Sequence, residues 1–134
     1  MRPIALAAFT ALTLPLAAQD GPAMSGPEFE AATTGRTLTF SIDGTPYGAE
    51  QYFAGQRLQW SFLDGRCLTG RWEARGRQIC FTYEDRPGET TCWEFWAEGG
   101  GLRARVAGDP GATARYTARE TDGPLYCMGP DAGV

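Results

Sequence analysis

The chain has 134 residues, 12 basic against 16 acidic side chains, a net charge of −4, four cysteines and no histidine. Every basic residue is an arginine, and the acidic balance argues against a nucleic-acid binder, whose phosphate contacts need a basic surface. Without histidine or lysine, a serine or cysteine nucleophile would also lack its usual base.

In chain order, Met1, Arg2 and Pro3 form a short positive start, Ile4 to Leu16 an apolar stretch, and Ala17-Ala18 a small-residue site before Gln19-Asp20. This pattern predicts a signal peptide over 1–18 and a mature single domain over 19–134. The apolar run is shorter than the about 20 residues needed to span a bilayer, so no transmembrane anchor is expected in the mature chain. Ser25-Gly26-Pro27-Glu28 has capping-box spacing, with Phe29 and Ala32 as a small apolar face and Gly35 placed to end one short helix.

From Arg36 the period changes to two. Leu38, Phe40 and Ile42 alternate with Thr37, Thr39 and Ser41 before the turn Asp43-Gly44. Further strands are expected near 46–53, 57–62, 66–73, 77–84, 90–97, 102–107 and 112–119. The turns between them are marked by Asp64-Gly65, Arg75-Gly76, Arg86-Pro87-Gly88, Gly99-Gly100-Gly101 and Asp109-Pro110-Gly111. Eight consecutive strands with short connections predict an all-β antiparallel meander closed into a small barrel, because closure removes exposed edges. A two-sheet sandwich is the alternative.

A three-residue loop from Leu63 to Gly65, with Gly65 left-handed, aligns Trp60 with Leu68 and Leu58 with Gly70. A turn at Arg75-Gly76 sets Trp72 against Ile79 and Gly70 against Phe81, where the missing side chain leaves room for a ring. Pairing Cys80 with Cys92 puts Ile79 beside Trp93 and Phe81 beside Thr91. Cys67 and Cys127 then form the second of two disulfides, although four cysteines allow three connectivities. Chain-entropy reasoning assigns roughly 3 kcal/mol to the short loop and about 4 to the long one. There is no C-x-x-C pair and no histidine, so neither a metal site nor a cofactor is expected.

The run Tyr52-x-x-Gly55-x-x-x-x-Trp60-x-Phe62, then Cys67-x-x-Gly70-x-Trp72, Ile79-Cys80-Phe81-x-Tyr83 and Cys92-Trp93-x-Phe95 resembles a group of small secreted alphaproteobacterial proteins of unknown function. More distantly, Gly70-x-Trp72 in a small exported barrel is similar to lipocalin-like domains and bacterial protease-inhibitor barrels. The resemblance covers about residues 25–130 and carries no activity with it.

Phe40, Trp60, Phe62, Trp72, Phe81, Tyr83, Trp93, Phe95 and Tyr116 all fall on the predicted inward face. An eight-stranded barrel holds either packed side chains or one small ligand, and rings of about 150–250 Å² each make a filled or nearly filled interior the expectation. An aromatic pocket at one mouth is the alternative. On the last hairpin Arg103, Arg105, Arg115 and Arg119 share a face with Thr117, a basic stripe suited to carboxylate or phosphate groups. The first expectation for such a stripe is an ordinary solvated strand face that also protects the sheet from edge pairing.

The carboxylates Glu73, Glu84, Asp85, Glu94 and Glu98 could supply an acid and a base, but nothing in the pattern marks a pair. The expectation is therefore a non-enzymatic, periplasmic or secreted β-domain that binds a small or anionic envelope ligand or a protein partner. A periplasmic protease inhibitor that uses Gln19 to Met24 is the alternative, and a carboxylate-based hydrolase the third reading.

Overall fold

The computed structural model describes residues 21–128; the predicted signal peptide, 1–18, lies outside them. A helix α1, Gly26–Thr33, precedes eight strands: β1 Thr37–Ile42, β2 Thr45–Phe53, β3 Arg57–Ser61, β4 Cys67–Arg75, β5 Gln78–Tyr83, β6 Thr91–Glu98, β7 Gly101–Val106 and β8 Tyr116–Thr121. Each strand pairs antiparallel with the next, and β8 pairs back onto β1 from Thr37 against Thr121 to Ile42 against Tyr116. The sheet is thus a closed eight-stranded meander barrel rather than a sandwich.

The helix begins as its sequence dictates. Ser25 Oγ accepts from the Glu28 N–H at 3.3 Å and Glu28 Oε2 accepts from the Ser25 N–H at 2.8 Å, completing the capping box. At the other end Gly35 adopts a φ of +80° and its N–H donates to Tyr52 O, so the chain turns directly into β1. α1 caps one end of the barrel. Its Phe29 is fully buried, with ring centroids 5.6 Å from Tyr52, 5.1 Å from Trp72 and 4.7 Å from Phe95.

The segment before α1 is strapped across the same end. Met24 N–H donates to Phe95 O at 2.8 Å, Trp96 Nε1 to Gly21 O at 2.8 Å and Arg77 Nη1 to Ala23 O at 2.6 Å. Gly21 to Met24, the described part of the segment that the inhibitor reading needs, is therefore held against the barrel.

The register of β3 on β4 follows the expectation, with Trp60 opposite Leu68, Leu58 opposite Gly70 and Gly65 at φ +84°. The next hairpin differs. Its two-residue turn is Gly76-Arg77, so Trp72 lies opposite Phe81 and Gly70 opposite Tyr83. Gly76 takes a φ of +59° at the first central position, which glycine accommodates and arginine does not. Moving a turn by one residue shifts pairing by two, so the inward face is unchanged. A Cβ on Gly70 would press on the Tyr83 ring, Leu58 and the Thr82 carbonyl; the room is for Tyr83 rather than Phe81.

The two disulfides are Cys80–Cys92, across β5 and β6, and Cys67–Cys127, which ties the tail to the start of β4. Such bonds are typical of an oxidising, extracytoplasmic setting. The last strand begins later than expected, at Tyr116 instead of 112. Asp43 N–H donates to Arg115 O, and Asp43 Oδ1 accepts from Arg115 N–H at 2.9 Å. These bonds pin the chain at the β1–β2 turn just before it enters the β1 ladder.

Replacing Phe29 with Ala removes the ring that plugs the capped end. Urea denaturation should show a loss of about 3–5 kcal/mol, against about 1 kcal/mol for Ser25→Ala, which deletes only a cap.

Candidate binding cup

Alternation along the strands sends Leu38 and Phe40 (β1), Gly48, Glu50 and Tyr52 (β2), Leu58 and Trp60 (β3), Trp72 (β4) and Ile79, Phe81 and Tyr83 (β5) to the interior. The half beneath α1 is packed solid around Phe29. Towards the other end, where the loops after β1, β3, β5 and β7 meet, the rings draw apart and leave a cavity of about 250 Å³. Phe40, Trp60, Phe81, Trp93 and Phe95 supply apolar wall, with Phe62, Asp85, Arg86 and Glu89 at the rim. The expected filled interior is thus filled only in its capped half.

Two backbone irregularities on β2 shape the wall. Phe40 pairs with Gly48 but Ser41 with Pro46, so Tyr47 is the extra residue of a bulge. A bulge re-aims the side chain it carries. Strict alternation would turn Tyr47 outward, whereas its ring lies 5.6 Å from Trp60 and 6.2 Å from Tyr116 and lines the cavity. Beside it, the space a Cβ would take at Gly48 is occupied by the Trp60 indole. Glycine here lets the indole lie directly on the β2 backbone.

Phe62 departs from the expected inward set. It follows the last residue of β3, stands 58% exposed at the rim and meets Trp60 edge-on at 5.6 Å. Tyr83, Trp93 and Tyr116 are partly buried against the core rather than within it.

The sequence reading did not single out Glu50. It is 2% exposed, faces Leu38 on β1 and Trp60 on β3, and lines the cavity. Tyr83 donates its hydroxyl proton to Glu50 Oε2 at 2.6 Å. The Tyr52 hydroxyl is buried close to the same carboxylate without a hydrogen bond of good geometry.

Removal from water raises the Glu50 pKa from 4.5 to about 7, partly offset by the tyrosine hydroxyls. Burial first, and then the Glu50 charge, hold Tyr83 and Tyr52 well above the ordinary phenol range, so both hydroxyls keep their protons. Burial likewise raises Tyr47, helped by Tyr116 and Glu50. The signal for Glu50 was present in the alternation Gly48, Glu50, Tyr52, which puts a carboxylate on the face of a buried tyrosine.

The other carboxylates sit elsewhere. Glu84 is an outer residue that accepts from the Thr69 hydroxyl at 2.7 Å and from the Thr69 N–H at 3.1 Å, and these two bonds lower its pKa. Glu73 pairs with Arg75 at 2.7 Å. Of the five carboxylates weighed from sequence, Asp85 lines the cavity. Among the described residues no three histidine, cysteine, aspartate or glutamate side chains form a metal-binding group.

The four arginines of the last hairpin do share the outer face, with Arg103 opposite Thr117. They are engaged by the neighbouring strand. Arg105 pairs with Glu94 at 2.8 Å and Arg115 with Glu98 at 2.5 Å, and Arg119 Nη1 donates to Glu98 O at 2.6 Å. The Arg103 and Arg105 guanidinium groups lie 4.3 and 5.1 Å from the Trp96 ring centre. An anion docking on the stripe would exchange with Glu94 and Glu98 rather than meet an unopposed positive field.

Among the described residues no helix is long and apolar enough to cross a membrane. No family model matches the chain, and neither a curated protein nor a solved structure matches it.

The native state holds the Glu50 proton at pH values where the unfolded chain has lost it. This contribution to stability is complete below about pH 4.5 and is lost as pH rises through about 7. Glu50→Gln removes the titration. Chemical denaturation should show the variant gaining on the parent by ~3 kcal/mol between those limits, and a constant difference would contradict the assignment.

Proposed function

We propose that this is an exported, non-enzymatic barrel that binds one small, largely apolar molecule in its open mouth. The observation that carries the reading is the cavity of about 250 Å³, walled by aromatic rings and with a Tyr83–Glu50 pair exposed to it. Ligand sites are typically concave and apolar with a few convergent polar groups, and those for drug-sized molecules run about 300–1,000 Å³. A ligand smaller than that range suits this cup.

Export to the periplasm or outside the cell is supported by the two disulfides and by the signal-like composition of residues 1–18. The likeness of Gly70-x-Trp72 to lipocalin-like barrels points the same way. The protease-inhibitor reading needs a segment able to enter a cleft. The backbone and side-chain bonds that fasten Gly21 to Met24 over the capped end favour the ligand-binding reading instead.

Isothermal titration with naphthalene and indole should give saturable binding at one site per chain, with quenching or shift of tryptophan emission from the Trp60 and Trp93 walls. Ligand at a hundredfold excess over Kd should add about 2.7 kcal/mol of stability. Leu68→Trp, which fills the cavity from β4, should abolish binding while the thermal transition remains cooperative. Absence of saturable binding across a panel of small aromatic compounds would overturn the proposal.

A further inference from the structure

The charged groups of the cup are mainly acidic. Glu50 stands inside it, and Asp85 and Glu89 stand at its rim. Arg86 is the one basic residue among the described residues that line it, and its guanidinium is 3.8 Å from each rim carboxylate. An incoming anion therefore meets an arginine that already has two carboxylate neighbours, and then a third carboxylate within. An incoming cation meets complementary charge at both levels, together with aromatic rings whose faces attract positive charge.

Taking Glu50 as the specificity group, which rests on the ligand-binding reading above, we propose that the cup selects a small organic ammonium ion. The ammonium donates to the Glu50 carboxylate between the rings of Tyr47, Trp60 and Tyr83, while its aryl or alkyl tail lies against the apolar wall.

The geometry leaves Glu50 able to do this. An ionised carboxylate offers about four acceptor positions, and the Tyr83 hydroxyl uses one. The direct cross-strand neighbours of Glu50 are apolar, Leu38 and Trp60. The titratable groups around it are Tyr83 from β5 and Tyr47 and Tyr52 from its own strand, all held neutral. No cation in this set competes with an ammonium ion.

The volume bounds the size of the part of the ligand held inside. At about 30 Å³ per water-sized group, the cavity holds roughly eight such groups. That is close to the nine non-hydrogen atoms of a phenyl ring with a two-carbon amine arm.

Because Glu50 is partly protonated near neutrality, docking a cation must expel its proton. The ammonium keeps its own protons and the carboxyl proton passes to solvent. Affinity for an amine then rises with pH until Glu50 is ionised in the free protein, and binding below that point releases close to one proton. A neutral ligand shows neither effect.

The test compares phenethylamine, phenethyl alcohol and phenylacetate by isothermal titration against the intact mature protein, Glu50→Gln and Tyr83→Phe. At about pH 8.5 the amine should bind at least roughly tenfold more tightly than the alcohol. Its affinity should fall by about tenfold per pH unit well below the Glu50 titration, while that of the alcohol stays level.

Glu50→Gln should bring the amine down to the alcohol without weakening the alcohol. Tyr83→Phe, which removes a donor that favours the charged carboxylate, should move the midpoint of the amine profile to higher pH. Equal binding of amine and alcohol at both ends of the pH range would overturn the cation assignment and leave the apolar cup standing, as would tighter binding of phenylacetate. Failure of all three ligands to bind would remove both readings.

Discussion

The interior of the protein exists only because β8 pairs with β1. Six residue pairs, from Thr37–Thr121 to Ile42–Tyr116, turn an eight-strand meander into a closed cylinder. They make every strand's inward face look at the same small interior. Closure removes the open edges and converts simple alternation into a three-dimensional address. A residue such as Glu50, on the inward face of β2, is then surrounded whether or not its chemistry favours burial. The late start of β8 follows from the same pairing, since the strand can begin only where β1 offers partners.

The closed interior is divided by its two ends. At one, α1 inserts Phe29 among Tyr52, Trp72, Phe81 and Phe95, and the strap from Gly21 to Met24 seals the rim. At the other, loops meet without a helix, and the rings line the wall of a cavity without filling it. Local backbone features set the shape of that wall. Gly48 admits the Trp60 indole, the β2 bulge swings Tyr47 inward, and Gly70 clears the space for Tyr83. Tyr83 in turn reaches Glu50. The polar pair at the floor of the cup thus depends on glycines that contribute no functional group of their own.

The outer surface has a different logic. Arg105 on β7 and Arg115, just before β8, stand beside Glu94 and Glu98 on β6, and two guanidinium groups lie against the Trp96 ring. Ion pairs on a solvent-facing sheet surface add little individually, about 0–1 kcal/mol, but they balance the arginine charge on this face. Cross-linking is concentrated elsewhere. Cys80–Cys92 joins adjacent strands, and Cys67–Cys127 holds the tail against the start of β4, which limits the unfolded chain more strongly because it closes the longer loop.

Strand number, the capped helix, the Cys80–Cys92 bridge and the register at Trp60–Leu68 are legible along the chain. Each of these rests on local information: a period of two, a capping box, turn glycines, and cysteines brought opposite one another by a hairpin. The turn falls at Gly76-Arg77, one residue beyond Arg75-Gly76, because neighbouring dipeptides offer similar turn chemistry, and the unchanged parity leaves the inward face the same.

Whether rings on one face fill a cylinder or wall a cup was decided only by the tertiary structure. That outcome depends on how far opposite strands stand apart and on which end the helix plugs. Strand alternation places aromatic residues inside but carries no measure of the remaining volume. The part played by Glu50 was decided in the same way: a glutamate between a glycine and a tyrosine reads as an ordinary strand residue until closure shuts out the water and sets Tyr83, from the far side of two intervening strands, against its carboxylate.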